Sequence, residues 1–247
     1  MNILLAGATG AMGKVVTEVV ENKEQYHIAA GFGEGESKAD YPVYADIIEI
    51  NPENIDVIID FSVAETLESI LNYGTSNKIP IVIAATGHNE EQIEKIKLAS
   101  EQIPVLWSGN MSLGINIMTE VVKELAAKLA KYDIEIIEKH HHFKKDAPSG
   151  TAKMLYNAVN EGRNGNTHPV YDRHDIKEQR ESTEVGIHTV RAGSIVGEHS
   201  VIFAGLDEIL EVKHQAGSKK IFAIGSLQAA DFIVNAQPGL YSMKDIF

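Results

Sequence analysis

Short apolar runs alternate with helical patterns through the first half of the chain, and this alternation limits the fold more than any other feature. The runs are rich in isoleucine and valine and are apolar on both faces, as strands buried inside a parallel sheet are. They cover residues 2–6, 27–32, 55–61, 79–84 and 103–107. Strand, helix and strand at this spacing predict βαβ units and therefore an α/β fold with a Rossmann-like, doubly wound parallel sheet.

The segment after the third run has the residues of a helix start. Ser62 and Glu65 have the spacing of a capping box, in which two side chains satisfy backbone N–H groups of the first turn. The helix predicted behind them carries Leu67, Ile70 and Leu71 on one face.

The sequence pattern changes near residue 112. A long helical pattern covers residues 115–132, strands are predicted at 133–140, 184–191, 194–204 and 208–215, and the tail is helical again at 219–235. Partial alternation in these strands favours an antiparallel or mixed sheet with one open face. We therefore predict a dinucleotide-binding domain formed by residues 1–111 plus 219–247. Residues 112–218 are predicted to form an inserted α+β domain on a mixed sheet, for substrate binding and oligomerisation.

Composition and charge exclude several classes of protein. The 247 residues have ordinary hydrophobic and charged fractions, and no apolar run approaches the ~20 residues that span a bilayer. The absence of cysteine excludes disulfides, thiolate zinc sites and a cysteine nucleophile. A formal net charge of −13 argues against a nucleic-acid or anionic-membrane surface. Because the first residues lack the features of a signal peptide, we expect a cytoplasmic protein.

A glycine-rich loop joins the first predicted strand to the first predicted helix. Gly7, Gly10 and Gly13 give the spacing GxxGxxG instead of the commoner GxGxxG. Glycines permit a tight turn and let the backbone approach a pyrophosphate, while the helix N-terminus offers it free N–H groups. A plain strand–helix turn has the same spacing, but the βαβ context favours a dinucleotide-binding loop.

The second part of a dinucleotide fingerprint is an acidic residue at the end of the second strand, where it binds the adenine-ribose hydroxyls. Here that strand is followed by Gly33, and Glu34 comes one position late. Lys14 and Lys38 are the only cations nearby in the sequence that would favour a 2′-phosphate. The choice between NADH and NADPH is therefore left open.

Residues 139–145 form a basic segment that contains three lysines, three histidines and no acid. Directly after it, residues 148–151 open a predicted helix whose small residues and free N–H groups suit a carboxylate. The lysines and histidines can bind a second anionic group. The combination predicts a site for a small dicarboxylate.

Three interpretations of the basic segment compete. A solvated charged loop is the usual meaning of such a run. A metal site is the second, although successive residues of a strand point to opposite faces, so three adjacent histidines do not readily converge on one ion. An acid–base and anion-binding site accounts for the segment and for the helix start together. We favour this third interpretation and predict no metal.

Residues 138–151 resemble the signature of the 4-hydroxy-tetrahydrodipicolinate reductase family, E-x-H-H-x-x-K-x-D-A-P-S-G-T, at every fixed position. The resemblance extends over nearly the whole chain and includes residues 7–13, 59–61, 84–87, 108–112 and 191–199. It implies a Rossmann-like domain, a mixed-sheet substrate domain, closure of one domain on the other, and a homotetramer. It also implies reduction of 4-hydroxy-tetrahydrodipicolinate to tetrahydrodipicolinate by NADH or NADPH, in lysine and diaminopimelate biosynthesis.

The resemblance also implies roles for individual residues. His140 is expected to be the proton donor and acceptor, and Lys144 the second proton donor. The residues expected to bind the substrate carboxylates are His141, Ser149, Gly150 and Thr151. The residues expected to line the nicotinamide cofactor are Gly7, Ala8, Thr9, Gly10, Ala11, Met12, Ala84, Ala85, Thr86, Ser108, Gly109, Asn110 and Met111.

The chain departs from the family pattern at a few positions. They are Gly33 and Glu34 in place of an acid and a frequent arginine, Ala84-Ala85 in place of a glycine–threonine pair, Ala11 in place of a frequent arginine, and Ile224 in place of a frequent asparagine. These departures concern cofactor preference and affinity more than the reaction.

Two other functions are compatible with the residues. One is another nicotinamide dehydrogenase that acts on a small dicarboxylate such as aspartate. The other is a nicotinamide-responsive binding module without turnover, which would need the glycine loop but not Lys144 beside His140. Dinucleotide-binding sheets host many functions, so the basic segment, and not the fold, favours the reductase.

Overall fold

The structure is a computed structural model that describes residues 1–35 and 39–247. The chain divides into two compact units, the first formed by residues 1–112 and 219–247 and the second by residues 113–218. Each unit is built on its own sheet. Among the described residues, no helix combines the length and the apolar character needed to cross a membrane.

The described residues form twelve strands and six α-helices, named here in chain order. The strands are β1 (Asn2–Ala6), β2 (His27–Phe32), β3 (Val43–Tyr44), β4 (Val57–Asp60), β5 (Ile81–Ile83), β6 (Pro104–Trp107), β7 (Asp133–His140), β8 (His168–Val170), β9 (Glu184–Arg191), β10 (Glu198–Ala204), β11 (Ile209–Gln215) and β12 (Gly239–Tyr241). The helices are α1 (Ala11–Val20), α2 (Leu67–Asn77), α3 (Glu90–Ser100), α4 (Leu113–Lys128), α5 (Gly150–Gly162) and α6 (Lys220–Ile233).

The first unit contains a seven-stranded sheet in the order β12-β6-β5-β4-β1-β2-β3, and every neighbouring pair is parallel. The predicted Rossmann-like parallel sheet is confirmed. β1 lies between β2 and β4, so the direction of the strand order reverses beside it. In doubly wound sheets, ligands bind at the carboxyl ends of the strands at this reversal.

Helices cover both faces of the first sheet, which explains why its strands are apolar on both sides. Val57 and Ile59 of β4 pack in the cluster that includes α1 and α6, whereas Ile58 packs in the cluster that includes α2 and α3. The predicted face of α2 is confirmed, because its three apolar residues are buried in the second of these clusters.

The predicted capping box at Ser62 and Glu65 is wrong. Ser62 does not cap a helix, because its N–H and its hydroxyl both donate to Oδ1 of Asp60. The chain continues as a short 3-10 helix at Ala64–Thr66, and α2 follows it without a side-chain cap. The capping-box spacing is present, but Ser62 forms hydrogen bonds with the buried carboxylate of Asp60 and is therefore not available to cap the helix.

The second unit contains a five-stranded sheet in the order β11-β10-β7-β9-β8. β10 is antiparallel to β7 and β11, whereas β9 is parallel to β7 and β8, so the predicted mixed sheet is confirmed. Apolar residues of α4 and α5 pack against one face of this sheet. β10 begins at Glu198, four residues later than predicted, because the chain turns after β9: Gly193 has φ +48° and the Ala192 N–H donates to the His140 carbonyl.

We expect Gly225→Ala to destabilise the protein although it replaces a helical glycine. Alanine improves helix propensity by roughly 1 kcal/mol. However, a Cβ at Gly225 in α6 would lie 1.7 Å from the carbonyl oxygen of Met111, and overpacking of this kind costs about 1–3 kcal/mol. The two effects together give an expected net loss of up to about 2 kcal/mol in the free energy of unfolding, which chemical denaturation measures.

Gly217→Ala is the control for this substitution, because no atom lies within 4 Å of a Cβ at Gly217. We expect its unfolding free energy to stay near the wild-type value. Equal stability of the two variants would contradict the close packing of α6 against the Met111 backbone.

Candidate active site

The glycine loop lies at the carboxyl end of β1, where backbone segments approach too closely for a side chain. Gly7 has φ +77°, and a Cβ on it would lie 2.6 Å from the carbonyl carbon of Phe61. A Cβ on Gly13 would lie 2.3 Å from the Gly7 oxygen. The first and third glycines of the motif are therefore required by close backbone packing, as a dinucleotide-binding turn needs.

The loop leads directly into α1, whose N-terminus is open to a ligand. Gly10 is the N-cap residue and provides no side-chain cap, and the first turn of α1 contains no acidic residue. The N–H groups of this turn and the positive end of the helix dipole therefore suit an anion. These features fit the pyrophosphate of a nicotinamide dinucleotide.

The other residues predicted to line the cofactor lie at the same edge of the first sheet. Ala84 follows β5, and its N–H donates to the Asp60 carbonyl at 2.9 Å. Ser108 follows β6, where its N–H donates to the Ile83 carbonyl and its hydroxyl to the Asn110 carbonyl. The structure thus brings residues 7–12, 84–86 and 108–111 to the carboxyl ends of β1, β5 and β6.

Glu34 is exposed after β2, and Lys14 is exposed in the first turn of α1. Gly33 lies against the glycine loop, since a Cβ on it would approach the Thr9 hydroxyl to 3.0 Å. Lys38, the other cation considered for the 2′-phosphate, lies outside the described residues.

Asp60, at the end of β4, lies in a segment that carries the family resemblance, but sequence reasoning gave it no role. Its side chain is fully buried, and its Oδ2 has no hydrogen-bond partner within the part of the chain that the structure describes. Burial raises the pKa of this carboxyl to about 6, against the opposing effect of the hydrogen bonds from Ser62. Asp60 is thus a buried acid next to the backbone that packs on Gly7.

The core of the second unit becomes polar at one end of its sheet, row by row. Residues at alternate positions of β7 face the helices, and the register aligns them with neighbours on β9 and β10. One row across the three strands is Ile187, Ile136 and Val201, all buried. The next row, two residues along β7, is Thr189, Glu138 and His199. A polar cluster therefore continues the hydrophobic core without a break.

Glu138 is the centre of this polar cluster and is fully buried. Its Oε1 accepts hydrogen bonds from the Ser149 N–H at 3.0 Å, the Thr189 hydroxyl at 3.2 Å and Arg191 Nη2 at 2.9 Å. Its Oε2 accepts from Arg191 Nη1 at 2.8 Å and lies 2.6 Å from His140 Nδ1. Five contacts from four residues satisfy the buried carboxylate, which would otherwise be costly to bury.

Electrostatic effects in the cluster favour an ionised Glu138 beside a neutral His140. Burial alone would raise the pKa of Glu138, but hydrogen bonds from Arg191, His140 and Ser149 lower it below its usual value. Burial lowers the pKa of His140, and the charges of Lys144 and Arg191 act in the same direction against the opposing effect of Glu138. The lowered pKa favours a neutral imidazole at neutral pH, with Nδ1 of His140 in hydrogen-bond contact with Glu138.

Ser149 is buried and takes part in contacts within the second unit. Its hydroxyl accepts a hydrogen bond from the Ala152 N–H at 3.1 Å, as an N-cap of α5 does, and lies 3.0 Å from His199 Nε2. Burial lowers the pKa of His199 to about 4, and the nearby His140 contributes. His199 therefore stays neutral, with its Nε2 in hydrogen-bond contact with the Ser149 hydroxyl.

The other residues predicted to bind substrate lie around this buried layer. Gly150, the first residue of α5, is exposed, while Thr151 and His141 are partly exposed. Lys144 forms an ion pair with Asp146 at 2.8 Å and is close enough to His140 to affect its pKa. The structure thus brings both predicted catalytic residues and the start of α5 together within the second unit.

Glu138, Arg191 and His199 were present in the segments that carry the family resemblance, but sequence reasoning gave them no role. One signal was available for Glu138: it shares the alternation of Ile134 and Ile136, so a charged residue stands at a core position. The described residues contain no group of three or more histidine, aspartate and glutamate side chains arranged to hold a metal ion.

Comparison with known proteins identifies the family. Residues 1–111 match the family model described as dihydrodipicolinate reductase, N-terminus, and residues 114–247 match the one described as dihydrodipicolinate reductase, C-terminus. The chain therefore belongs to the dihydrodipicolinate reductase family.

Individual relatives are similar over their whole length. A 4-hydroxy-tetrahydrodipicolinate reductase of Caldanaerobacter subterraneus subsp. tengcongensis is 44% identical over 246 residues, which cover 100% of this chain and 98% of the relative. One from Clostridium novyi is also 44% identical, over 99% of this chain and 97% of the relative. A dipicolinate-bound dihydrodipicolinate reductase from Paenisporosarcina sp. TG-14 has the same fold, with a TM-score of 0.85 at 20% identity, over 100% of this chain and 99% of that one.

Asp60→Asn is expected to change how stability depends on pH. Because the folded-state pKa of Asp60 is raised from 3.8 to about 6, its stabilising contribution is complete below pH ~3.8 and is lost as pH rises through ~6. Asparagine keeps an acceptor for Ser62 and carries no charge. Relative to wild type, the variant should therefore gain roughly 2 kcal/mol of unfolding free energy between pH 4.5 and 7.5.

Chemical denaturation at several pH values measures this difference. Asp56→Asn, which changes an exposed aspartate just before the same strand, is the control and should give a curve parallel to that of wild type. A parallel curve for Asp60→Asn as well would contradict the raised pKa.

Proposed function

We propose that this chain reduces 4-hydroxy-tetrahydrodipicolinate to tetrahydrodipicolinate with NADH or NADPH, in lysine and diaminopimelate biosynthesis. One observation carries the proposal: a neutral histidine, a lysine and the start of α5, where Gly150 is exposed, lie together in the second unit of a chain of this family. In this proposal, the first unit binds the cofactor and the second unit binds the substrate.

Loss of the substrate hydroxyl as water requires proton transfer. His140 holds a proton on Nδ1 against Glu138, so Nε2 carries the lone pair that takes up a proton and returns it. Lys144 is the second proton donor. When bound, the nicotinamide cofactor supplies the hydride that reduces the substrate ring.

The start of α5 binds one substrate carboxylate. Gly150 is exposed there, and no acidic residue lies in the first turn to repel an anion. Gly150 and Thr151 are the residues of this turn that face outward at least in part, while Ser149 supports the turn from inside. Lys144 supplies a positive charge and His141 a ring N–H for the second carboxylate, so the site matches a dianion.

The cofactor pyrophosphate binds at residues 7–12, and residues 84–86 and 108–111 line the nicotinamide half. Bound there, the cofactor meets an uncapped helix and glycines that admit its phosphates closely. Asp60, buried one residue before the backbone that packs on Gly7, helps to position this edge.

We further propose that the protein is a cytoplasmic homotetramer. The face of the second sheet opposite to α4 and α5 includes the exposed side chains of Val190 and Ile209 and the partly exposed side chains of Ile137 and Ile202. This face also carries the ion pairs of Glu135 and Glu198, and apolar side chains exposed among charged ones suit a contact with another copy of the same chain. Sedimentation as a monomer at micromolar concentration would contradict the assembly.

The proposed location follows from the reductants, because NADH and NADPH are both present in the cytoplasm. Detection of the protein outside that compartment would contradict the location.

The experiment that tests the function is a coupled assay. The aldol product of pyruvate and aspartate semialdehyde is supplied enzymatically, and oxidation of NADH or NADPH is followed by absorbance. We expect wild-type turnover, and we expect His140→Gln and Lys144→Ala each to lower kcat by about 10²–10⁴, the usual contribution of a positioned acid or base.

Lys145→Ala is the control for these variants, since Lys145 is the exposed neighbour of Lys144 and has no proposed proton role. Near-wild-type kcat in both site variants would refute the assigned roles. Absence of turnover with either cofactor in the wild type, together with tight nucleotide binding, would favour a binding module instead.

A further prediction concerns the choice of cofactor. Gly33 offers no carboxylate to bind the adenine ribose or to repel a 2′-phosphate. The charges of the exposed side chains Glu34 and Lys14 would have opposite effects on a 2′-phosphate. We expect the ratio of kcat/KM for NADH and NADPH to lie within roughly a factor of 30, or about 2 kcal/mol.

Glu34→Ala should shift this ratio towards NADPH, because it removes a carboxylate that would repel the phosphate. Glu101→Ala, which removes an exposed carboxylate before β6 at the opposite edge of the sheet, is the control and should leave the ratio unchanged. A wild-type preference above a thousandfold, or an unchanged ratio in Glu34→Ala, would mean that another residue discriminates.

A further inference from the structure

We infer that Glu138 and Arg191 are positioning residues, which act through His140 by fixing the nitrogen that carries its proton. The inference rests on the proposed function only for its catalytic consequence. The fixed proton position itself is a property of the folded chain and can be measured without substrate.

The first step is the geometry between the carboxylate and the imidazole. Glu138 Oε2 and His140 Nδ1 are 2.6 Å apart, and the Glu138 side chain is completely inaccessible to solvent. A carboxylate only accepts hydrogen bonds, so a lone pair on Nδ1 at this distance would face another lone pair. The proton therefore resides on Nδ1, and Nε2 is left as the reactive nitrogen.

Arg191 keeps the carboxylate ionised and correctly oriented. Its two terminal nitrogens contact both oxygens of Glu138, at 2.8 and 2.9 Å, in the fork geometry that suits a carboxylate. Nη2 also donates to the Asp146 carbonyl at 2.6 Å, which ties the arginine to the basic segment. Arg191 is the register partner of His140 on β9, so the sheet itself aligns the three residues.

The space beside the reactive nitrogen is kept open by a glycine. A Cβ on Gly197, in the turn before β10, would lie 3.1 Å from His140 Nε2. Nδ1 of the His140 ring contacts Glu138, and Gly197 lies on the other side of the ring. Because Gly197 has no side chain, it does not obstruct Nε2. The arrangement orients His140 without covering Nε2 at that point.

The charged and titratable groups around His140 act on it in opposite directions. Glu138 raises the pKa of His140, whereas burial, Lys144 and Arg191 lower it, and neutral His199 stands at 5.1 Å between ring centroids. Removal of the glutamate charge should therefore lower the pKa of His140 further. Removal of the arginine charge should raise it. A purely structural role for the pair predicts loss of stability in both cases but no opposite displacement of the two titrations.

The test combines two variants with a matched control on the same strand. Glu138→Gln keeps the size but turns an amide N–H towards Nδ1, which favours the imidazole tautomer with its proton on Nε2. Arg191→Gln removes the cation. Glu135→Gln is the control, because Glu135 lies on the opposite face of β7, where it contacts His188 at 2.7 Å and pairs with Arg180.

The decisive measurement is ¹⁵N NMR of the histidine rings in the whole protein, with His140 assigned by its absence in His140→Gln. We expect Nδ1–H in wild type and in Glu135→Gln, and Nε2–H in Glu138→Gln. In the pH profile, the titration of His140 should move to lower pH in Glu138→Gln and to higher pH in Arg191→Gln. We also expect kcat to fall by about 10²–10⁴ in Glu138→Gln, with dipicolinate affinity changed less than tenfold.

Each outcome decides the inference separately from the proposed function. An Nε2–H tautomer in the wild type would overturn the inference even if the enzyme turns over normally. Displacement of both titrations in the same direction, or kcat within threefold of wild type in Glu138→Gln, would overturn it as well. If Glu138→Gln does not fold, the wild-type tautomer and the Arg191→Gln titration give the answer. A wild type without reductase activity would refute the function, while the tautomer measurement would still test the positioning.

Discussion

The rest of the site in the second unit depends on the hydrogen bonds and the ion pair formed by the buried carboxylate of Glu138. It stands where the alternation of β7 would place another core residue, so its charge has to be neutralised inside the protein. The partners that neutralise it come from β7, β9 and the start of α5. Because one carboxylate joins them, His140 and the start of α5 are fixed relative to each other.

In the first unit, the main constraint is a different one: the backbone of the glycine loop has to come close to a ligand, with no side chain in between. Its glycine loop packs so tightly on the backbone at Phe61 that Gly7 has no room for a Cβ. The acid next to that contact, Asp60, is buried with one oxygen unpaired among the described residues and with a raised pKa. A buried acid of this kind costs stability once ionised, which is typical of functional regions of a structure.

The sequence pattern predicted those features of the structure that depend on residues close together in the chain. Both sheets, the buried faces of the helices and the position of the glycine loop follow from periodicity, which is a property of neighbouring residues. The role of Glu138 could not be predicted in this way, because Arg191 lies 53 residues further along the chain and meets it only through sheet register. The strands β3, β8 and β12 are too short to show a period. The false capping box arose because Asp60 competes for Ser62, a tertiary effect that the spacing cannot reveal.

The two neighbouring histidines of the site show how the fold restricts a proton to one of them. Their rings are 5.1 Å apart, so a proton on His140 could in principle pass to His199. His199 is the more deeply buried, its pKa is lowered to about 4, and its Nε2 is occupied by the Ser149 hydroxyl. Glu138 acts on both rings, but of the two histidines it is His140 that contacts the carboxylate directly, at 2.6 Å, where it can stabilise an imidazolium. Hence the serine that caps α5 also blocks the competing base, and the transferable proton stays on the histidine that Glu138 orients.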